Sequence, residues 1–331
     1  MVFGLLPKLL CGFISRVQFL SSTNCRRVRF CLPGLATRPP ADQIGQPCGY
    51  CRGGPGSRKR ERIRTDVALT LVPGETYSDP EAAASVEIPQ YTVLRTLAVW
   101  AAAALPMAAL AWLVAPTLAD ELGGEGDVPM AKALLICLTA GLIWQFVLVA
   151  VLVWREQRTL RWSTLREALW LRSPRSPRSG RRGGRVWLIL IPLIVLFAAE
   201  EILPVPGHPD NHDLAVFVDS DAGQRFFEGA WGWFGLVVVL ALFNTVLGEE
   251  LLFRGLLLPR MNGAFGRGDW LANGVLFSAY HLHEPWVFLS PLADAFVLAY
   301  PTKYYRRAWI GIAVHSVQSV VIVILIFTLV V

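Results

Sequence analysis

Residues 247–261 read LGEELLFRGLLLPRM, and the way they close the apolar run 230–247 decides the fold. Up to Leu258, two glutamates and an arginine stand in a stretch that is otherwise Leu, Phe and Gly. Glu249 lies ten residues before Pro259, about 15 Å of helix at 1.5 Å per residue. That is too deep for a side chain to snorkel back to water. Glu250 and Arg254 are spaced i,i+4 with the acid first, the favourable order for a helical ion pair. Glu249 projects about 100° away from Glu250, so it need not share that pair. The bland alternative is that all three cap a cytoplasmic helix end.

Working outward, the 331-residue chain is 54% hydrophobic, in long blocks rather than at amphipathic spacing. A helix needs about 20 residues to cross a hydrocarbon core of about 30 Å. Residues 97–118 and 133–154 meet that length, and 186–199, 230–247 and 309–329 approach or meet it. Residues 270–283 and 286–300 are apolar but short, fit for tilted spans or a shielded hairpin. The expectation is an all-α polytopic membrane protein with about seven transmembrane helices.

Charge between the spans sets an orientation. Loop 155–185 carries ten Arg against Glu156 and Glu167, which predicts a cytoplasmic location. Threading from it places 120–127 and the acidic stretch 200–228 outside, and Arg260, Arg267, Lys303, Arg306 and Arg307 inside. The N-terminus is then cytoplasmic and the C-terminus outside, in a multi-pass protein of the cell membrane. The net charge of +6 reflects this asymmetry and a basic N-terminal region. Without a basic face carrying aromatic platforms, nucleic-acid binding is excluded, and the lipid bilayer is the expected partner.

The chain divides into 1–65, 66–229 and 230–331. The first part holds Cys11, Cys25, Cys31, Cys48 and Cys51, twelve Lys or Arg and no span. It reads as disordered or as lying outside the mature protein. Zinc held by Cys25, Cys31, Cys48 and Cys51 and a targeting peptide are the competing readings.

Ionisable residues inside a membrane are functional candidates by default. Residues 277–283 read FSAYHLH, with Phe277 and His281 on one helical face, and His315 follows Arg307 by eight residues. At 1.5 Å per residue Glu249, His281 and His315 can share one layer of the membrane. GEELLFRG resembles the EExxxR motif, Phe277–His281 the FxxxH, and His315 the His of the final HxxxN or HxxxD of the CAAX-protease and bacteriocin-processing family of intramembrane glutamate proteases. The resemblance covers about 231–331.

It implies an intramembrane endopeptidase, opening toward the cytoplasm, that cuts a membrane-anchored peptide or protein. By the same resemblance Glu249 activates a water with help from His281, Glu250 and Arg254 orient Glu249, and His315 donates to the oxyanion. Ser319 stands where that pattern has Asn or Asp, and either Ser319 or neighbouring Gln318 is left to complete the oxyanion site. No cofactor is implied; a catalytic zinc is a minority alternative, since HExxH and GxSxG are absent. Gly266–Asp269 reads GRGD in a basic loop and is discounted. Glu200–Glu201 reads as an exposed helix end, and Asp294, in mid-segment, as a structural hydrogen-bonding group. A non-catalytic membrane binding or immunity protein is the first rival. The second is a transporter, which lacks the paired broken helices of that class.

Cysteine labelling of intact cells tests the orientation. An impermeant reagent should reach positions in 207–228 and spare those in 155–174; the opposite pattern would invert the topology.

Overall fold

The computed structural model describes residues 86–174, 183–200, 203, 207 and 209–331. The Cys-rich stretch 1–65, with Cys25, Cys31, Cys48 and Cys51, lies outside them, as does Glu201. Among the described residues every regular element is helical.

Helix α1, Val93–Leu122, starts at Thr92, whose Oγ1 accepts from the Arg95 amide at 3.2 Å and closes one open donor of the first turn. Pro106 sits inside α1 and has no N–H to give to residue 102. The carbonyl of Ala102 is taken instead by Trp144 Nε1 at 2.8 Å, so a lost helical bond becomes a link to the next helix. That helix, α2, runs Val128–Gln157 and ends at Arg158 in the left-handed conformation. A short helix α3, Trp162–Ala168, follows. A 3-10 stretch, Gly184–Ile189, leads into α4, Leu190–Ala199. Helices α5, Leu214–Asp219, and α6, Asp221–Phe227, are capped by Asp213 and Ser220. Helix α7, Trp231–Arg260, carries the Glu249–Arg254 segment. Then come α8, Asp269–Tyr280, the broken pair α9, Leu289–Asp294, and α10, Tyr300–Tyr305, and finally α11, Ala308–Val330.

Four helices, α1, α2, α7 and α11, are long and apolar enough to cross a membrane. Gly184–Ala199 is apolar but shorter. Helix α8, at 12 residues, reaches only about 18 Å, and the α9–α10 stretch is interrupted by a π-helical segment, Ala295–Ala299. Among the described residues only these four helices have spanning length, so a count of seven full spans does not follow. Leu94, Leu113, Ile191, Val195, Phe296 and Ile324 point outward and are more than half exposed, a surface suited to lipid rather than water.

Bonds among the connecting segments identify the two ends. At the basic end Ala308 N donates to Trp170 O, Trp309 Nε1 to Leu171 O and Arg307 Nε to Ser173 O, and Lys303 pairs with Asp269. That accounts for the Asp of GRGD. At the acidic end Trp112 donates to Leu282 O at 2.8 Å and stacks on His212 at 4.5 Å, while Gly229 N donates to Val330 O. Among the described residues, segment 170–173 with its Arg172 is thus joined to 307–309 with its Arg307.

The basic end is fastened by Glu156. Its Oε2 accepts from Arg260 Nε and Nη2 at 2.9 and 2.7 Å, and its Oε1 from Arg95 and the Tyr91 hydroxyl. Burial, and then the bond to Glu156, push the Tyr91 hydroxyl up to about 12, so it stays a donor at any physiological pH. Arg260 is fully buried and also donates to Ala168 O and Leu256 O. Glu156→Leu would strand that guanidinium, at a cost of about 3–5 kcal/mol. The variant should melt well below wild type in detergent, and Glu156→Leu with Arg260→Leu should recover part of the loss. A single variant melting with wild type would remove this node as a stabiliser.

Candidate active site

Helix α7 supplies both acids, and its backbone separates them. It widens to π-helical geometry over Phe243–Gly248 and again over Leu251–Leu257, a distortion concentrated at functional positions in helices. Glu249 and Glu250 sit between the two widened turns. Both are buried, yet they face different surroundings: Glu249 lines a cavity of about 390 Å³, whereas Glu250 and Arg254 do not.

Glu250 is turned into the protein. Its Oε1 lies 3.0 Å from Arg254 Nη1, and both side chains have no exposure to solvent. The same oxygen is 3.1 Å from His315 Nδ1 on α11. The Arg254 guanidinium also sits 4.0 Å over the ring of Phe277 on α8, a cation–π contact that is strong when desolvated. Charge balance and ring stacking therefore compensate for the guanidinium nitrogens, none of which has a hydrogen-bond partner among the described residues. Gly311 permits the approach of α11. A Cβ there would fall 2.5 Å from Glu250 Oε2 and 3.1 Å from Thr302 Oγ1.

Glu249 has different neighbours. The hydroxyl of Tyr280 on α8, close to Glu249, accepts from Gln145 Nε2 of α2 at 2.6 Å. Tyr280 and Gln145 are fully buried, so this bond ties α2 to α8 near the Glu249 carboxyl. Next to Tyr280, His281 ends α8. Its Nδ1 lies 2.9 Å from Phe277 O. A carbonyl only accepts, so Nδ1 carries the proton and Nε2 is left as an acceptor. Phe277 touches both histidines edge-on, at 5.0 Å to His281 and 6.1 Å to His315, which explains an aromatic residue four positions before the His.

Glu249, His281 and His315 all line the cavity. Ser319 is not there. Its hydroxyl donates to Ala241 O of α7 at 3.2 Å, binding two helices together, whereas Gln318 does line the cavity. Of the two candidates for the oxyanion site, the structure leaves Gln318 facing it. Glu200 departs from expectation too: it is 7% exposed, lines the cavity and accepts from the Ser290 hydroxyl at 3.4 Å. Asp294 is buried and lines the same cavity.

The cavity is floored by Leu138, Leu142 and Val237 and reaches from Glu249 to Asp213, Phe227 and Trp286. Four further acids, Glu200, Asp213, Glu284 and Asp294, line it with Glu249.

Sequence reasoning missed Tyr280 and Gln145. Gln145 had a signal, as the one amide in the apolar run 133–154, where an uncompensated polar group is costly. Tyr280 had none beyond its neighbour His281. Among the described residues no three His, Cys, Asp or Glu side chains converge as a metal-ligand set.

Fold and cluster together define an all-α membrane protein with an ionisable site in its interior. Residues 231–321 match the family described as Rce1-like, type II CAAX prenyl endopeptidase Rce1-like, in keeping with the CAAX-protease resemblance. The matched segment runs from the first residue of α7 into α11 and contains Glu249, Glu250, Arg254, His281, His315 and Ser319. No curated protein and no solved structure matches the chain.

The Glu250 pair is testable apart from any activity. Glu250→Ala leaves Arg254 charged and buried, costing about 3–5 kcal/mol, and Gly311→Ala should lower the melting temperature by pressing on the same carboxylate. Thermal melts in detergent check both. Full stability of either variant would contradict the packing described.

Proposed function

We propose that the protein is an intramembrane endopeptidase that hydrolyses a peptide bond of a membrane-anchored peptide or protein, with Glu249 as the base. The observation that carries this reading is the division of labour between adjacent acids. Glu250 is consumed by Arg254 and His315, while Glu249 lines the cavity that His281 also lines. The Rce1-like segment supports a CAAX-type protease at family level.

In this reading a water sits between Glu249 and His281 Nε2. Glu249 takes its proton as the oxygen attacks the scissile carbonyl carbon. His315, held through Nδ1 by Glu250, turns its other nitrogen to the oxyanion that forms. Collapse of the tetrahedral intermediate breaks the C–N bond, and the proton on Glu249 passes to the leaving nitrogen. The water is activated by carboxylate and imidazole, with no metal. The apolar lining residues Leu138, Leu142 and Val237 accommodate an aliphatic substrate segment.

A non-catalytic membrane binding or immunity role is the second reading. It is favoured by one observation, the diversion of Ser319 to Ala241 O. Glu249→Gln separates the two. That variant should fold, melt with wild type and lose about 10²–10⁴ in rate, read as the disappearance of new peptide termini in a comparison of membrane peptidomes. Chelators should leave those termini in place. Unchanged termini in Glu249→Gln would favour the non-catalytic role, and loss on chelation with rescue by zinc would replace the carboxylate mechanism with a metal-dependent one.

A further inference from the structure

The π-helical turn Phe243–Gly248 has a consequence for the cavity. The Glu249 amide donates to Asn244 O, a five-residue link, so residue 249 stacks over residue 244. In a regular α-helix five residues turn a side chain about 140° away. Here Asn244 and Glu249 line the same cavity.

The facing helix α11 is held against this turn on either side of Asn244. Ser319 Oγ donates to Ala241 O at 3.2 Å, and Ser316 Oγ lies 3.3 Å from Thr245 Oγ1. Those serines are used in helix packing and are not available to a substrate. The Asn244 carboxamide, by contrast, makes no hydrogen bond within the described residues and is partly exposed to the cavity. An amide held in an apolar membrane interior without a partner is unfavourable and suits a site whose partner arrives with the substrate.

We infer that Asn244 is a catalytic residue whose Nδ2–H donates to the scissile carbonyl oxygen as it becomes an oxyanion. This rests on the peptidase reading above. It moves the amide that the sequence lacks at position 319 to the facing helix, a turn away from the base. A donor preset at that oxygen stabilises the charge that develops there without reorganisation.

The test follows Glu249-dependent peptide termini over time in membranes carrying full-length variants. Asn244→Ala and Asn244→Asp should each slow their formation by about 10²–10³-fold while melting with wild type. Asn244→Gln, which keeps the donor, should recover much of the rate, and Ser319→Ala should cleave at close to the wild-type rate. The Asp and Gln pair decides the matter even where the Ala variant fails to fold, because a merely structural role would not separate donor from acceptor. Equal rates for Asn244→Asp and Asn244→Gln would overturn the assignment, as would a wild-type rate for Asn244→Ala. Wild-type membranes that form no Glu249-dependent termini would defeat the peptidase reading itself, and this inference with it.

Discussion

The arrangement of the membrane interior depends on one buried ion pair. Arg254 and Glu250 are both withdrawn from solvent and lie 3.0 Å apart, where an uncompensated guanidinium would be unaffordable. Its compensation comes from three helices at once: Glu250 on α7, the Phe277 ring on α8 and, through Glu250, His315 on α11. Satisfying that single cation therefore brings together the three elements that carry the candidate chemistry. Gly311 fits the same constraint, since no larger residue leaves room for the carboxylate.

The pair also sets the division between neighbouring acids. Adjacent residues on a helix project about 100° apart. When one is captured by an internal cation, the other is directed to a different surface. Here that surface is a cavity, which Glu249 lines close to Tyr280, itself bonded to Gln145. Among the described residues no ion pair neutralises the Glu249 carboxyl. The widened turns on either side of the two acids add a further adjustment of register, which a straight α-helix could not supply.

The two ends of the protein do different work. At the basic end Glu156, Arg260, Arg95 and Tyr91 form a network that ties α1, α2 and α7 together. At the acidic end short helices, loops and indole contacts surround the cavity, and Glu200, Asp213 and Glu284 line it with Glu249 and Asp294. Trp112, linked to Leu282 O and stacked on His212, joins α1 to the loop beside His281.

Local spacing determined much of this molecule without reference to its tertiary structure. Apolar blocks of spanning length specify α1, α2, α7 and α11, because a helix must satisfy its own backbone in lipid. The Glu250–Arg254 pair is an i,i+4 relation, and the Phe277–His281 relation is too, so each is readable within one turn. The common depth of Glu249, His281 and His315 follows from helix rise alone. Other features needed the fold. Gln145 meets Tyr280 across 135 positions of chain and Ser319 meets Ala241 across 78; neither relation has a periodic trace. The role of Ser319 in packing and the burial of Glu200 are outcomes of helix-to-helix register. So is the stacking of Asn244 over Glu249, because a π-helical turn is chosen by how neighbouring helices pack and not by the residues in it.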